Sequence, residues 1–331
     1  MDTSVAPLCL LACESGRTLA TEVAGHLGKK LAPTTESWFA CGEGKLVIDA
    51  NIRGCDTYVF QSCVGSQDGL SAYDRFTMLL HAVEAAKLAD AFWVTAVLPY
   101  YPGARQDKRK GRTREGISAG LFARMLTAAG AHRVLVMEIH NDAIAGMFDA
   151  SKTTLETVYL TKYMCSWMRE QKVDAEVVVA PDVGGMERAR QYAERLAADL
   201  AALSKERDYS RPNTVTRSTL IGEVQGRNVL LVDDIIDTAG SVVAAVEELK
   251  TRGARDITVA CAHPLLSGPA WDRMGAIARQ ADSQGWRFRL IGTTSVLHES
   301  PPDWYTACPI EPLLAQVITK INERGSVAGE L

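Results

Sequence analysis

The sequence predicts an α/β protein of open, mostly parallel sheets flanked by helices, and three observations predict it. Apolar, strand-length runs alternate with helical patterns from one end of the chain to the other. The run Val229–Val232 is apolar throughout, as a strand covered on both faces requires. It ends in a turn of acidic and small residues where a new helical pattern begins, and open α/β sheets hold ligands at such strand ends.

Val5–Ala12 reads as the first strand, followed by Glu14-Ser-Gly-Arg17 and a helix through Leu27. No positive region precedes that run, and it is too short to span a membrane, so no membrane role is expected. Strands follow at Lys45–Ile48, Thr57–Gln61, Phe92–Leu98 and His132–Ile139, with helices at Tyr73–Ala89 and Ser118–Ala129 between them. The second half opens with a predicted helix at Leu155–Arg169. A strand at Glu176–Ala180 comes next, then a helix at Met186–Ser204, a strand at Asn228–Val232 and a helix from Val242 to Lys250. Strands at Ile257–Ala262 and Phe288–Thr293 complete the pattern. At 331 residues the chain has room for about two domains, each with its own core. The predicted boundary is Ala150–Thr154, dividing 1–152 from 153–310; no low-complexity linker or internal repeat marks it.

Charged residues are 23% of the chain and apolar ones 47%, the balance of a soluble globular protein. A net charge of −4 leaves no basic footprint, which argues against a nucleic-acid partner. Eight cysteines are scattered without a CxxC or a Cys/His cluster of zinc spacing. Reduced, buried thiols of a cytoplasmic protein are the expectation.

The chemistry concentrates at strand ends. In Val229-Leu-Leu-Val-Asp-Asp-Ile-Ile-Asp-Thr-Ala-Gly-Ser241, small residues at a helix start let backbone N–H groups converge on an anion. A phosphate would sit on the amides of Thr238, Ala239, Gly240 and Ser241 and on the Thr238 and Ser241 hydroxyls. Asp233, Asp234 and Asp237 would then face neutral hydroxyls, because a second anion would be repelled. A phosphorylated sugar fits. The plainer reading, acids that merely cap a helix, leaves three mutually repelling carboxylates unexplained.

The segment Pro99-Tyr-Tyr-Pro-Gly-Ala-Arg-Gln-Asp-Lys-Arg-Lys110 follows another strand and offers Arg105 and Gln106 as fork and amide donors for phosphate and base. His140 emerges at the end of the run Val134–Ile139, and Asp182 precedes paired glycines after Val177–Ala180. As a helix cap alone Asp182 would need no such glycines, which points to a ligand close to the backbone. No GxxxxGK[ST] loop occurs, so a P-loop site is excluded, and no GxGxxG follows a strand.

Together these segments resemble class I phosphoribosyl pyrophosphate synthetases, the ribose-phosphate diphosphokinases. The similarity spans nearly the whole chain. It runs through Trp38-Phe-Ala-Cys-Gly-Glu43, Ile52-Arg-Gly-Cys-Asp56, Ala104-Arg-Gln-Asp-Lys-Arg109, the His140 segment, Ala180-Pro-Asp-Val-Gly-Gly185, Lys205-Glu-Arg207, the Asp233–Ser241 loop and His263-Pro-Leu-Leu-Ser-Gly268. The resemblance implies two phosphoribosyltransferase-like domains, with a C-terminal segment at about 311–325 packing back on the first. It implies ATP and ribose 5-phosphate as substrates, Mg2+ as cofactor, and a homo-oligomer, a hexamer built from dimers. By the same likeness, Phe39, Cys41 and Glu43 lie in an adenine-contacting loop supplied by a neighbouring subunit, and Arg105 and Gln106 contact ATP. His140 and Asp182 match magnesium ligands. Lys205 and Arg207 match the family's basic catalytic pair, in an exposed polar loop over the reacting phosphates. Asp233 and Asp237 through Ser241 match the ribose-5-phosphate site.

Some positions depart from the family. Cys41 stands where the family usually has Asp, and a thiol is a weak partner for an exocyclic amine, so altered nucleotide preference is expected. Ser151, Thr153 and Thr154 replace residues that help bind an allosteric nucleotide or phosphate, so different control by ADP and phosphate is expected. Two rival readings remain: a single-domain phosphoribosyltransferase, which has no need of the Arg105–Lys108 or His140 segments, and a non-catalytic regulatory homologue, in which the basic pair or the loop should be damaged.

Overall fold

The computed structural model describes residues 4, 6–65, 69–109, 111, 113–207 and 215–327, with the side chains of 205–207 and 215–218 outside that description. The chain forms two compact units, Met1–Tyr159 with Ile310–Leu331, and Leu160–Pro309.

In the first unit, β1 (Leu8–Ala12) leads through a short 3-10 turn into α1 (Arg17–His26). A hairpin of β2 (Thr34–Trp38) and β3 (Gly44–Ile48) follows, then β4 (Asp56–Phe60), α2 (Ala72–Leu88), β5 (Trp93–Leu98), α3 (Ser118–Ala129), β6 (Arg133–Met137) and β7 (Thr154–Val158). The sheet has five parallel strands in the order β1-β4-β5-β6-β7. Strand β4 is buried at every position, which is why its apolar run does not alternate. Helix α2 starts on a reciprocal capping box: the Asp74 amide donates to the Ser71 hydroxyl at 3.2 Å, and the Ser71 amide donates to the Asp74 carboxylate at 2.8 Å.

The second unit runs α4 (Thr161–Glu170), β8 (Val177–Ala180), α5 (Met186–Leu196), β9 (Asp199–Arg207), β10 (Val215–Ile221), β11 (Val229–Ile236), α6 (Gly240–Thr251), β12 (Ile257–Pro264), α7 (Ala270–Gln284), β13 (Phe288–Thr293) and β14 (Tyr305–Cys308). Its seven-stranded sheet has the order β10-β9-β8-β11-β12-β13-β14, and only the β9–β10 pair is antiparallel. Helix α8 (Glu311–Asn322) belongs to the first unit again. Its Asn322 amide donates to the buried Asp56 carboxylate at 2.8 Å and to the Ala6 carbonyl at 3.1 Å. Tyr58 donates to the same carboxylate at 3.2 Å, so that acid is satisfied without a cation.

Three sequence expectations are corrected. The segment from Leu155 does not begin a helix: β7 runs Thr154–Val158 beside β6, and α4 starts only at Thr161. Thr154, Thr157 and Val158 are β-branched, and pairing with β6 rewards the extended form. The helix expected over Met186–Ser204 stops at Leu196, where Ala197 turns left-handed at φ 55°. Ala198–Leu203 is Ala- and Leu-rich and carries good helix propensity, but β8 on one side and β10 on the other supply ladder partners that local propensity does not see. Third, the thiols are not uniformly buried: Cys13, Cys63, Cys165, Cys261 and Cys308 are, Cys9 and Cys55 are half-buried, and Cys41 is exposed.

Candidate active site

The loop after β11 is the best-defined strand end of the second unit. Asp233 is half-buried and Asp234 buried, while Thr238, Gly240 and Ser241 are exposed and Ala239 is covered. Ala239 caps α6 with φ 61°, a left-handed conformation uncommon for a residue with a Cβ. That geometry turns the chain sharply into the helix and brings its first N–H groups to one end, where the helix dipole also favours an anion.

Asp234 accepts from the Ile235 amide at 2.9 Å and Asp233 from the Asp234 amide at 2.9 Å. Arg188, on α5, lies 3.7 Å from the Asp234 carboxylate. Burial pushes the Asp233 carboxyl up to about 7, and the charge of Asp234 adds to the effect; Arg188 works against both. The acidic pair is therefore partly relieved by a cation that no pattern in the loop itself announces. Its signal is the arginine one helical turn past Gly184-Gly185.

Asp182 does cap the turn that begins α5. One oxygen accepts from the Gly185 amide at 3.1 Å, and a Cβ at Gly184 would come within 3.2 Å of that oxygen. The glycine therefore serves the cap as well, contrary to the expectation that a cap alone would not need it. The carboxylate stays exposed, so a ligand can still reach it. Lys205 and Arg207 lie on β9 rather than in a loop, at register positions opposite Ser218 and Val215. Their side chains fall outside the described residues.

In the first unit, Arg105 and Gln106 are exposed on the turn after β5. The turn is held from both sides. Gln106 accepts from the Ser118 hydroxyl at 2.6 Å, and Tyr101 donates to the Ala119 carbonyl at 3.0 Å. Asp107, buried beneath it, accepts from the side-chain amide of Asn141 and from Lys108 at 3.3 Å. Burial alone would raise the Asp107 carboxyl, but these hydrogen bonds outweigh it and hold it below its ordinary value. Asn141 directly follows His140, so the pair fastens the Arg105–Gln106 turn to the His140 loop. Two segments separate in sequence are thereby neighbours at one sheet edge.

His140 itself is exposed just past β6, after Glu138 at φ 40°. Asn141 also caps the following 3-10 turn through the Ala143 amide at 3.0 Å. The loop Phe39–Glu43 is the tip of the β2–β3 hairpin, closed by Phe39 and Glu43 main-chain atoms at 2.8 Å. Phe39, Cys41 and Glu43 are all exposed there. Ser151 and Thr153 act locally: Ser151 donates to Asp149 at 2.6 Å, and buried Thr153 donates to the Ala131 carbonyl at 2.6 Å.

Among the described residues no group of three or more His, Cys, Asp or Glu side chains is arranged to hold a metal ion.

The chain also matches known proteins along its length. The model of the N-terminal domain of ribose phosphate pyrophosphokinase matches residues 8–130, and that of the phosphoribosyl transferase domain matches residues 161–289. The ribose-phosphate pyrophosphokinase of Oceanobacillus iheyensis is 35% identical over 321 residues, 97% of this chain and 96% of that one. The Bacillus subtilis enzyme of that name is 35% identical over 323 residues, with the same two coverages, 97% and 96%. The chain belongs to the ribose-phosphate pyrophosphokinase family.

The fold agrees. The crystal structure of phosphoribosylpyrophosphate synthetase from Mycobacterium smegmatis superposes with a TM-score of 0.83 at 33% identity, covering 96% of this chain and 100% of that one. Both units of this pyrophosphokinase are phosphoribosyltransferase-like, each a largely parallel sheet flanked by helices. Of its residues, sequence reasoning missed Arg188, Asp107 and Asn141, because each acts on another side chain rather than on a ligand.

Proposed function

We propose that this chain transfers the diphosphoryl group of ATP to the anomeric hydroxyl of ribose 5-phosphate, giving 5-phosphoribosyl 1-pyrophosphate and AMP. Family membership supports the reaction, and one structural observation carries the sugar's placement. Paired acids lie near the end of β11, and a left-handed Ala239 aims the first amides of α6 at one point. The 5-phosphate takes those amides with the Thr238 and Ser241 hydroxyls. The carboxyl groups of Asp233, Asp234 and Asp237 accept from the sugar's hydroxyls, and Arg188 lies beside Asp234.

The rest is positioning and charge. The anomeric oxygen attacks the β-phosphorus while AMP leaves, so the protein needs little covalent chemistry. Arg105 and Gln106 bind the nucleotide on their braced turn, with Phe39, Cys41 and Glu43 contributing from the hairpin of a neighbouring subunit. Lys205 and Arg207 stabilise charge that develops on the transferred group, and losing one such donor typically costs ~10²-fold or more in kcat. His140 and Asp182 are the residues that would hold magnesium, which neutralises phosphate charge when bound. Self-assembly into a homo-oligomer belongs to the same reading, and sedimentation at low and high protein concentration tests it.

The decisive assay couples AMP release to ATP, magnesium and ribose 5-phosphate. Turnover is expected in wild type, with steep loss in Lys205→Ala. A well-folded wild type that turns over no purine triphosphate would make the chain a regulatory homologue instead.

A further inference from the structure

The motif His263-Pro-Leu-Leu-Ser-Gly268 and the start of α7 lie outside the contacts assigned above, yet they grip the sugar-phosphate loop from behind. Three successive carbonyls of the loop accept from this segment. The Leu266 amide donates to Ile236 at 3.0 Å, the Ser267 amide to Asp237 at 3.0 Å, and the Arg273 guanidinium, through Nη1, to Thr238 at 2.8 Å. The grip is anchored: Leu266 is buried in the unit's core at φ 49°, and the Ala270 amide closes the start of α7 on the Ser267 carbonyl at 3.2 Å.

In a planar trans peptide the C=O of one residue and the N–H of the next point in opposite directions. Among the described residues no peptide bond is cis. A carbonyl pinned on the rear side therefore commits the following amide to the front. The Asp237 carbonyl held by Ser267 sends the Thr238 N–H forward. The Thr238 carbonyl held by Arg273 sends the Ala239 N–H forward. The first two of these grips come from main chain, but the third comes from one long side chain. It holds the peptide that leads into left-handed Ala239, the least favourable backbone of the loop. Gly240 leaves room for that side chain, since a Cβ there would come within 3.4 Å of Arg273 Nη1.

We propose that Arg273 is a positioning residue for the 5-phosphate: it fixes the Thr238–Ala239 peptide so that its N–H meets the anion. It acts through the loop carbonyl, and its effect should fall on the sugar phosphate rather than on the nucleotide. The inference rests on the sugar-phosphate reading of this loop.

The test compares wild type with Arg273→Ala, Arg273→Lys and, as a control at another exposed position of the same helix, Arg279→Ala. Titration calorimetry with ribose 5-phosphate, steady-state kinetics and thermal melts are run on each. In Arg273→Ala, both Kd and KM for ribose 5-phosphate should rise by about tenfold, the loss of one charge-assisted hydrogen bond. The kcat and the KM for ATP should stay within about threefold, on that same estimate. Lysine can still donate to the carbonyl, so Arg273→Lys should recover most of the affinity, and Arg279→Ala should match wild type. Unchanged ribose-5-phosphate affinity in Arg273→Ala would overturn the inference. So would a uniform fall in affinity, kcat and melting temperature that lysine does not rescue. A folded wild type that does not bind ribose 5-phosphate would instead strike the reading of the loop, and the inference with it.

Discussion

The β11–α6 loop of the second unit, proposed for the sugar phosphate, and the segments of the first proposed for the nucleotide present polar groups in different ways. In the loop the donors are backbone amides, and three consecutive carbonyls behind them are held by hydrogen bonds from Leu266, Ser267 and Arg273. In the first unit the ligand groups are side chains: Arg105 and Gln106 on a turn braced by Ser118 and Asn141, and Phe39, Cys41 and Glu43 at an exposed hairpin tip. Amides held by hydrogen bonds to the carbonyls behind them keep their direction, whereas long exposed side chains lose rotamer freedom when a ligand arrives. On the proposed assignment the loop is thus preorganised for a small dianion, and the segments of the first unit are adaptable.

The hardest way to break that contrast is to put a charge where the phosphate belongs. Thr238 is exposed at the mouth of the loop, so Thr238→Asp should fold normally. Its carboxylate would occupy the anion's place, and like-charge juxtaposition costs several kcal/mol, so ribose-5-phosphate affinity should fall by at least about 100-fold. Affinity for ATP should be nearly unchanged. Calorimetry with each ligand separates the two, and an equal loss for both would end the division of labour.

A change behind the hairpin should do the reverse, with a smaller effect. A Cβ at Gly44 would come within 2.5 Å of Met78 Cε and 2.9 Å of Trp38 Cζ3, where the hairpin packs on α2. Gly44→Ala should therefore cost roughly 1–3 kcal/mol of stability through overpacking. The hairpin tip would shift with it, raising the KM for ATP while leaving ribose-5-phosphate binding alone. Thermal melts with the two KM values check this.

How far these regions were legible from sequence follows the same division. The β11–α6 loop was readable because small and acidic residues at a strand end have few structural uses. Helix α3 was readable from Ser118 to Ala129 because its period is local and Gly130 stops it in a left-handed cap. Strand β9 was not, since an Ala- and Leu-rich stretch is extended here only because β8 and β10 flank it. Arg188, Asp107 and Asn141 were invisible for a related reason. Each completes a pair with a residue remote in sequence, and an arginine in α5 looks like any solvated helix charge until Asp234 is found 3.7 Å away.

That acidic pair yields a pH-dependent prediction for the sugar side alone. The Asp233 carboxyl is raised from an ordinary value to about 7, by burial first and by Asp234 second. The folded state therefore binds a proton that the unfolded chain releases near pH 4. Its stabilising contribution is complete below about pH 4 and is lost as pH rises towards 7. Melting temperature should decline across that window in wild type, and the decline should flatten in Asp233→Asn. A wild-type profile no steeper than that of the variant would show that Asp233 is ionised in the fold throughout.

The smallest effect is expected at Cys41, and it sharpens the comparison most. The residue is exposed at the hairpin tip beside Phe39, so Cys41→Asp should leave the unfolding free energy within about 0.5 kcal/mol of wild type. A carboxylate accepts a hydrogen bond from adenine's amino group and repels the carbonyl oxygen that guanine carries instead, and a thiol does neither well. Preference for ATP over GTP should therefore rise by about threefold to tenfold, in line with one exposed hydrogen bond. The KM for ribose 5-phosphate should not move. Nucleotide competition in the AMP- or GMP-release assay measures the ratio directly. An unchanged ratio would mean that the tip does not touch the base, leaving Arg105 and Gln106 as the only nucleotide contacts this reading assigns to the first unit.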